Sequence, residues 1–208
     1  MNREPFDQAR AVFFDNLAEG WDGQGPVPAA DRVEGFLRKL TIVAGEVILD
    51  VGTGTGLMIP YLMEFAPEKV IAMDISAKML KRVTDKYQDR YGSKLEVLHN
   101  DAHGLALDDG SVDVIICNGV FPHFHDKPKA VAELYRVLRP GGRLTVNHFA
   151  GKAKINAIHA AAAHELIRND ILDDAQTLAG LMQEIGFIVR ETADTEQEFF
   201  LLAVKPGR

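Results

Sequence analysis

From residue 46 onward, short apolar runs alternate with longer stretches of helical spacing. "EVILDVG" (46–52) is a continuous apolar run ending in an acid, the pattern of a strand buried on both faces. "KVIAMDIS" (69–76) is a second buried strand, and "KLEVLHND" (94–101) alternates apolar with polar, as a strand nearer a sheet edge does. The turn "LDDGS" announces a fourth strand, "SVDVIICNG" (111–119), and "RLTVNHF" (143–149) makes a fifth. Between them "LMIPYLMEF" (57–65), "AKMLKRVTDKYQDRY" (77–91) and "PKAVAELYRVLRP" (128–140) have helical periodicity. Ser76 or Asp74 is placed to cap the second of these helices, and Pro140 with its Gly-Gly turn stops the third.

This alternation predicts an α/β fold: a doubly wound, mostly parallel seven-stranded sheet with helices on both faces. Helices are expected near 154–168 and 174–185, and "GFIVRETADTEQEFFLLAVK" (186–205) reads as a hairpin that adds an antiparallel C-terminal strand. Residues 1–40 differ: Phe6, Phe13 and Leu17 mark one helix, and Val33, Phe36, Leu37 and Leu40 mark another over about 29–40. "EGWDGQGPVP" breaks the chain between them. The expectation is one domain over 1–208, with residues 1–40 a helical cap and 41–208 the α/β core.

The chain has 208 residues and a formal net charge of -7, which argues against nucleic acid as a main partner. The densest basic stretch, Lys78, Lys81, Arg82 and Lys86, has the spacing of a solvated helix face. A single cysteine, Cys117, suits a reducing compartment and a buried apolar role. No signal-peptide pattern or membrane-length apolar run is present in the sequence, so the expectation is a cytoplasmic protein with no membrane partner.

The first strand's glycine turn selects among ligands. A dinucleotide fingerprint needs a third glycine three residues after the second, where Leu57 stands; here the glycines are Gly52, Gly54 and Gly56. A phosphate loop needs Lys followed by Ser or Thr, which is absent. Asp50, two residues before the first glycine, repels a pyrophosphate and welcomes an ammonium group. Asp74 ends the second strand, where a carboxylate accepts from ribose hydroxyls, and Asp101 past the third can take an adenine amino group. Ile75 and Ala102 can line the ring faces. A nucleoside with a cationic amino-acid tail, S-adenosyl-L-methionine, fits this set as cofactor.

"LDVGTGTG", "IAMDIS", "NDAHGLALDDGSVDVIICNGVFPHF" and "LYRVLRPGGRL" resemble, in order and spacing, the successive motifs of the class I S-adenosylmethionine-dependent methyltransferases, over about residues 45–148. The nearest likeness is to the small-molecule branch that includes quinone-ring methylating enzymes, where a segment like "FDNLAEGWD" precedes the fold and helps close the cofactor site. The resemblance implies that Asp50 and the backbone of Gly52, Thr53, Gly54 and Gly56 face the methionine end. It implies Asp74 on the ribose, with Asp101 and Ala102 at the adenine. Asn118 and Gly119 would border the methyl group.

The expected activity is in-line methyl transfer to a small-molecule acceptor. The alternative is a non-catalytic protein that binds S-adenosylmethionine or S-adenosylhomocysteine as a sensor or partner subunit. "NGVFPHFHD" lacks the Asn-Pro-Pro-Tyr pattern that resembles amino-methylating enzymes. Of seven histidines, His123 and His125 follow the fourth strand, His148 ends the fifth, and His159 and His164 fall on "KINAIHAAAAHELI". His148 and His123 are the candidate bases, since an imidazole titrates near neutrality. No metal site is expected. Trp21 is either a lid over the ligand or an anchor for the N-terminal segment. The acceptor pocket is expected from residues 1–30, 119–127 and 148–170.

Overall fold

Each apolar run becomes a strand in the computed structural model, which describes residues 6–23 and 27–207. The first five positions of the expected cap segment, and the Gln-Gly-Pro at 24–26 within its Gly/Pro break, lie outside the described residues. The chain divides into two compact units at 106/107.

The first unit contains α1 (Gln8–Leu17), α2 (Ala30–Lys39), β1 (Val47–Val51), α3 (Ile59–Met63), β2 (Lys69–Asp74), α4 (Ala77–Tyr91) and β3 (Leu95–His99). β1 pairs parallel with β2 and β2 with β3. Ile48, Leu49, Val51, Val70 and Ala72 are fully buried on these strands, each large one stabilising the fold by about 1.5–3 kcal/mol. β3, whose positions are mostly half-buried, has the weaker burial its alternation predicts. α3 is shorter than its periodicity implies, because the glycine turn runs on to Met58 before Ile59 and Pro60 open the helix. α4 starts where predicted, with Ser76 Oγ accepting from Met79 N–H at 3.1 Å.

The second unit contains β4 (Val112–Asn118), α5 (Lys127–Val137), β5 (Leu138–His148), α6 (Lys152–Ala160), α7 (Glu165–Arg168), α8 (Ala175–Ile185), β6 (Ile188–Asp194) and β7 (Phe199–Val204). β4 pairs parallel with β5, while β7 is antiparallel to both β5 and β6. The order is β3-β2-β1 in the first unit and β4-β5-β7-β6 in the second, which together supply the seven strands expected, mostly parallel and with an antiparallel C-terminal strand. Cys117 is buried, as expected.

Two boundaries differ from the sequence reading. β5 begins at Leu138 rather than Arg143, because the Pro-Gly-Gly stretch is absorbed as a register shift against β4. Gly141, at φ +81°, donates its N–H to Lys205 O, and Lys205 N–H donates to Gly142 O, so the stretch stays on the strand ladder. The helix expected over 154–168 is broken into α6 and α7. Arg168 donates to the carbonyls of Ala162 and Ala163, and His164 caps α7 by accepting from Leu166 N–H, so the intervening backbone is satisfied without helix. Among the described residues, no helix is long and apolar enough to cross a membrane.

Candidate functional site

The glycine turn leaves β1 with three left-handed residues, Gly52 at φ +69°, Gly54 at +56° and Gly56 at +90°. L side chains rarely adopt such angles, which is why the turn is written in glycine. The glycines serve different ends. A Cβ on Gly54 would stand 3.4 Å from the indole nitrogen of Trp21, whereas one on Gly56 would stand 2.7 Å from the Tyr87 ring and 2.9 Å from Ile59. Gly56 therefore lets the turn pack against α4. Thr53 N–H donates to Met73 O at 2.9 Å, and its hydroxyl donates to Asp50 Oδ2 at 2.7 Å.

Asp50 and Asp74 are both buried at this turn. Asp74 sits at the carboxyl end of β2, accepting from Gly54 N–H and Ser76 N–H at 2.8 Å each. Burial pushes the Asp50 carboxyl up to about 6; the Thr53 hydroxyl opposes the rise and the charge of Asp74 adds to it. Burial likewise raises Asp74 to about 6, against the backbone hydrogen bonds it accepts from Ser76, Gly54 and Ile75 and the attraction of His99. Among the described residues, neither carboxylate forms an ion pair with a lysine or arginine. Two buried acids with no cation of their own make a strong demand for a positively charged or multiply donating guest.

Asp101 behaves differently. Its Oδ2 accepts from Asp7 N–H at 3.0 Å, and its Oδ1 accepts from His103 N–H at 2.9 Å and lies 2.5 Å from His103 Nδ1. Burial raises its carboxyl, but the His103 side chain, the two backbone donors and the His103 charge outweigh burial and hold it at about 2. Ala102 beside it is buried, and Ile75 is half-buried with its carbonyl 2.9 Å from His99 Nε2.

The N-terminal segment is tied to this same edge of the first unit. Asp7 caps α1 and reaches Asp101 through its N–H; Asp15 accepts from the Ser76 hydroxyl at 2.6 Å and from Lys78 N–H at 3.0 Å. Asp22 accepts from the Thr55 hydroxyl, from Arg82 at 3.0 Å and from Lys86 at 2.8 Å. Trp21 stands edge-on to Phe14 and beside Gly54, so it is at once an anchor and a cover for the turn. Sequence reasoning missed Asp7, Asp15, Asp22 and His103. Only the cap position of Asp7 is a local signal; the other contacts span more than thirty residues, apart from His103 beside Asp101.

The second unit carries its own polar cluster. Gly119, at φ +72°, closes β4 by donating its N–H to Asn147 O at 2.9 Å, and Asn147 Nδ2 donates to Asn118 Oδ1 at 2.7 Å. The buried Asn147 Oδ1 and His148 Nε2 have no hydrogen-bond partner among the described residues. Burial, together with the charges of His123 and His159, lowers His148 to about 3, so it is a neutral imidazole at ordinary pH and a weak base. His123 Nδ1 lies 2.6 Å from Asp170 Oδ2, and the His123 and His159 rings are 5.0 Å apart. His125 is exposed, and His164 serves as a helix cap. Among the described residues no group of three His, Cys, Asp or Glu side chains is arranged to hold a metal ion. Asp170 was not singled out by sequence: it lies 47 residues from His123 and follows no motif.

Residues 49–146 match the methyltransferase-domain family. The chain is 42% identical over 103 residues to a demethylmenaquinone methyltransferase of Thermus thermophilus, covering 49% of this chain and 46% of that one. It is 31% identical over 168 residues to the ubiquinone/menaquinone biosynthesis C-methyltransferase UbiE of a Marinomonas species, covering 69% of this chain and 67% of that one. The chain spans about half the length of the first curated relatives it matches, 46% and 58%. A solved SAM-dependent methyltransferase of Aquifex aeolicus superposes with a TM-score of 0.67 at 21% identity over 96% of this chain and 99% of that one, a likeness of fold.

Proposed function

This chain belongs to the class I S-adenosylmethionine-dependent methyltransferase family, and we propose that it binds S-adenosylmethionine and transfers its methyl group in line to a small-molecule acceptor. The observation that carries this reading is the buried pair Asp50 and Asp74 beside a left-handed glycine turn. The aminoacyl and ribosyl parts of the cofactor would supply positive charge and further donors to these carboxylates, and the turn offers backbone without Cβ atoms at close range. Asp74 would accept from the ribose hydroxyls and Asp50 would face the aminoacyl end. Asp101, already held by His103 and Asp7, acts chiefly by fixing the backbone at the adenine, beside Ala102.

The sulfonium supplies an activated methyl carbon. The work left to the protein is orientation and exclusion of water, which together supply much of the rate in a transfer of this kind. The Trp21–Asp22 stretch, held on Thr55, Arg82 and Lys86, is suited to cover the turn. A small acceptor agrees with the names of the Thermus and Marinomonas relatives and with a net charge of -7, which disfavours nucleic acid.

Calorimetry with S-adenosylmethionine and with NAD tests the cofactor: saturable binding of the first and none of the second is expected. Binding of NAD alone would overturn the reading. A screen for S-adenosylhomocysteine release over phenols, quinols, amines and thiols then separates an enzyme from a non-catalytic binding protein.

A further inference from the structure

Three residues of the N-terminal segment meet the rest of the first unit in chain order. Asp7 donates its backbone N–H to Asp101, past β3. Asp15 accepts from the Ser76 hydroxyl and the Lys78 N–H, past β2, and Asp22 accepts from the Thr55 hydroxyl, past β1. The attachment around Asp15 belongs to packed structure: Ala11 and Ala18, on and beside α1, are buried, and so is the Ser76 that Asp15 holds. The attachment at Asp22 does not. The single turn Trp21–Gly23 buries no residue, Gly20 and Gly23 flank Trp21 and Asp22, and a Cβ on Gly23 would meet nothing within 4 Å. Beyond the edge-on contact of Trp21 with Phe14, this turn is held by polar contacts rather than by buried area.

Those contacts converge on one carboxylate. Asp22 Oδ1 accepts from the Thr55 hydroxyl, and Oδ2 accepts from Arg82 Nη2 at 3.0 Å and Lys86 Nζ at 2.8 Å. Arg82 and Lys86 lie four apart on α4, so one helix face supplies both cations. Lys86 Nζ also donates to Thr55 O at 3.2 Å, and Arg82 Nη1 to Glu19 O at 3.4 Å, which ties segment, glycine turn and helix together. Burial pushes the Asp22 carboxyl up, but hydrogen bonds from Lys86, Thr55 and Arg82 and the charge of Lys86 outweigh it and hold the carboxyl at about 2. It is therefore charged at ordinary pH. The side chains of Asp22, Arg82 and Lys86 are 46%, 33% and 32% exposed, so salt screens these ion pairs. What they hold down is Trp21. Its Nε1 stands 3.4 Å from where a Cβ on Gly54 would be, with Cδ1 and Cε2 at 4.0 Å, so the indole fills the space that glycine leaves open to a closely approaching ligand.

We propose that Asp22 is an ionic latch that holds Trp21 on Gly54, and that the cofactor reaches the backbone of the glycine turn only after this latch releases. Gly20 and Gly23 are the joints, and α1 stays in place on its own contacts. The strength of the latch then sets the rate of cofactor entry. A half-exposed ion pair shifts an open–closed equilibrium by up to about fivefold, so removing the one charge that serves two pairs should raise the open population by about fivefold to twentyfold. Salt should do the same, because the Debye length falls from about 30 Å at 0.01 M to about 3 Å at 1 M. The identity of the ligand rests on the methyl-transfer reading; the latch itself is testable with no ligand present.

Trp21 is the only tryptophan of the chain, so its fluorescence is unmixed. In the ligand-free full chain, quenching of this emission by acrylamide, a neutral quencher, should rise with KCl in the wild type. Asp22→Asn keeps an acceptor for Thr55 but drops the charge; it should raise quenching at low salt and flatten the salt response. Lys86→Gln should act in the same direction and add little once Asp22 is neutral. The second measurement is stopped-flow mixing with S-adenosylhomocysteine, followed by the same emission. That ligand carries no net charge at neutral pH, so salt acts on the latch rather than on electrostatic steering. Association should be several-fold faster in Asp22→Asn than in the wild type at low salt, and the two should converge at high salt. A purely structural role for Asp22 predicts slower or weaker binding instead. Equal quenching in the wild type and a folded Asp22→Asn, an emission unchanged on binding, or association no faster in the variant would overturn the proposal. Failure of both S-adenosylmethionine and S-adenosylhomocysteine to bind in calorimetry would overturn the methyl-transfer reading and the gating role with it, whereas binding at equal rates overturns the gating role alone.

Discussion

Replacing Asp74 by Asn separates two consequences of burying a carboxylate at the end of β2. Burial raises the Asp74 carboxyl to about 6 in the folded protein, from 3.8 as the reference for the unfolded chain. The folded state thus holds its proton to higher pH than the unfolded one. The associated stability is fully present below 3.8 and is lost as pH rises through about 6. A difference of about 2 pK units corresponds to about 3 kcal/mol, of which about 2 kcal/mol falls between about pH 4.5 and about pH 7.5. Asn does not ionise, so the variant should gain on wild type by about 2 kcal/mol across that interval. The substitution also leaves a single acceptor oxygen to face the N–H groups of Gly54 and Ser76, a fixed cost of about 1–3 kcal/mol that cancels in the comparison between pH values. Urea unfolding of both proteins at the two pH values, with matched m-values, reads the gain directly. In calorimetry the same variant should bind S-adenosylmethionine more weakly by about 1.5–3 kcal/mol, the range for hydrogen bonds to a charged group. A stability difference independent of pH would refute the buried-acid argument, and an unchanged affinity would remove Asp74 from the cofactor site.

Gly56→Ala should destabilise the protein by about 2–4 kcal/mol, because a methyl group there meets Tyr87 and Ile59 at a left-handed angle; the midpoint of thermal or urea unfolding measures it. His148→Phe should flatten the acid limb of stability. His148 falls from 6.5 to about 3 on burial, so the unfolded chain binds more protons between those values, and wild-type stability is lost as pH falls through that window. The variant should gain on wild type by about 5 kcal/mol over the full window, read as the difference in unfolding free energy on descending it.

Local pattern carried most of the fold and half of the candidate site. Continuous apolar runs marked β1, β2 and β4, and helical periodicity marked α4, α5 and α8, because burial on both faces of a strand or on one face of a helix leaves its period in a short window of residues. The same locality made the candidate cofactor end legible: Gly52, Gly54 and Gly56 record a backbone angle, and Asp50 and Asp74 fall towards strand ends. The tertiary structure decided what those positions do. Only packing shows that Gly56 makes room for Tyr87 while Gly54 lies against Trp21. Only the tertiary partners separate Asp50 and Asp74, raised to about 6 by burial, from Asp101, held at about 2 against burial by His103 and Asp7. The bulged start of β5 and the break between α6 and α7 escaped the sequence because backbone partners distant in the chain, such as Lys205, or side chains that cap locally, such as Arg168, satisfy groups that periodicity assigns elsewhere. The pairing of His123 with Asp170 left no trace in spacing, since two side chains brought together across 47 residues share no period, turn or motif.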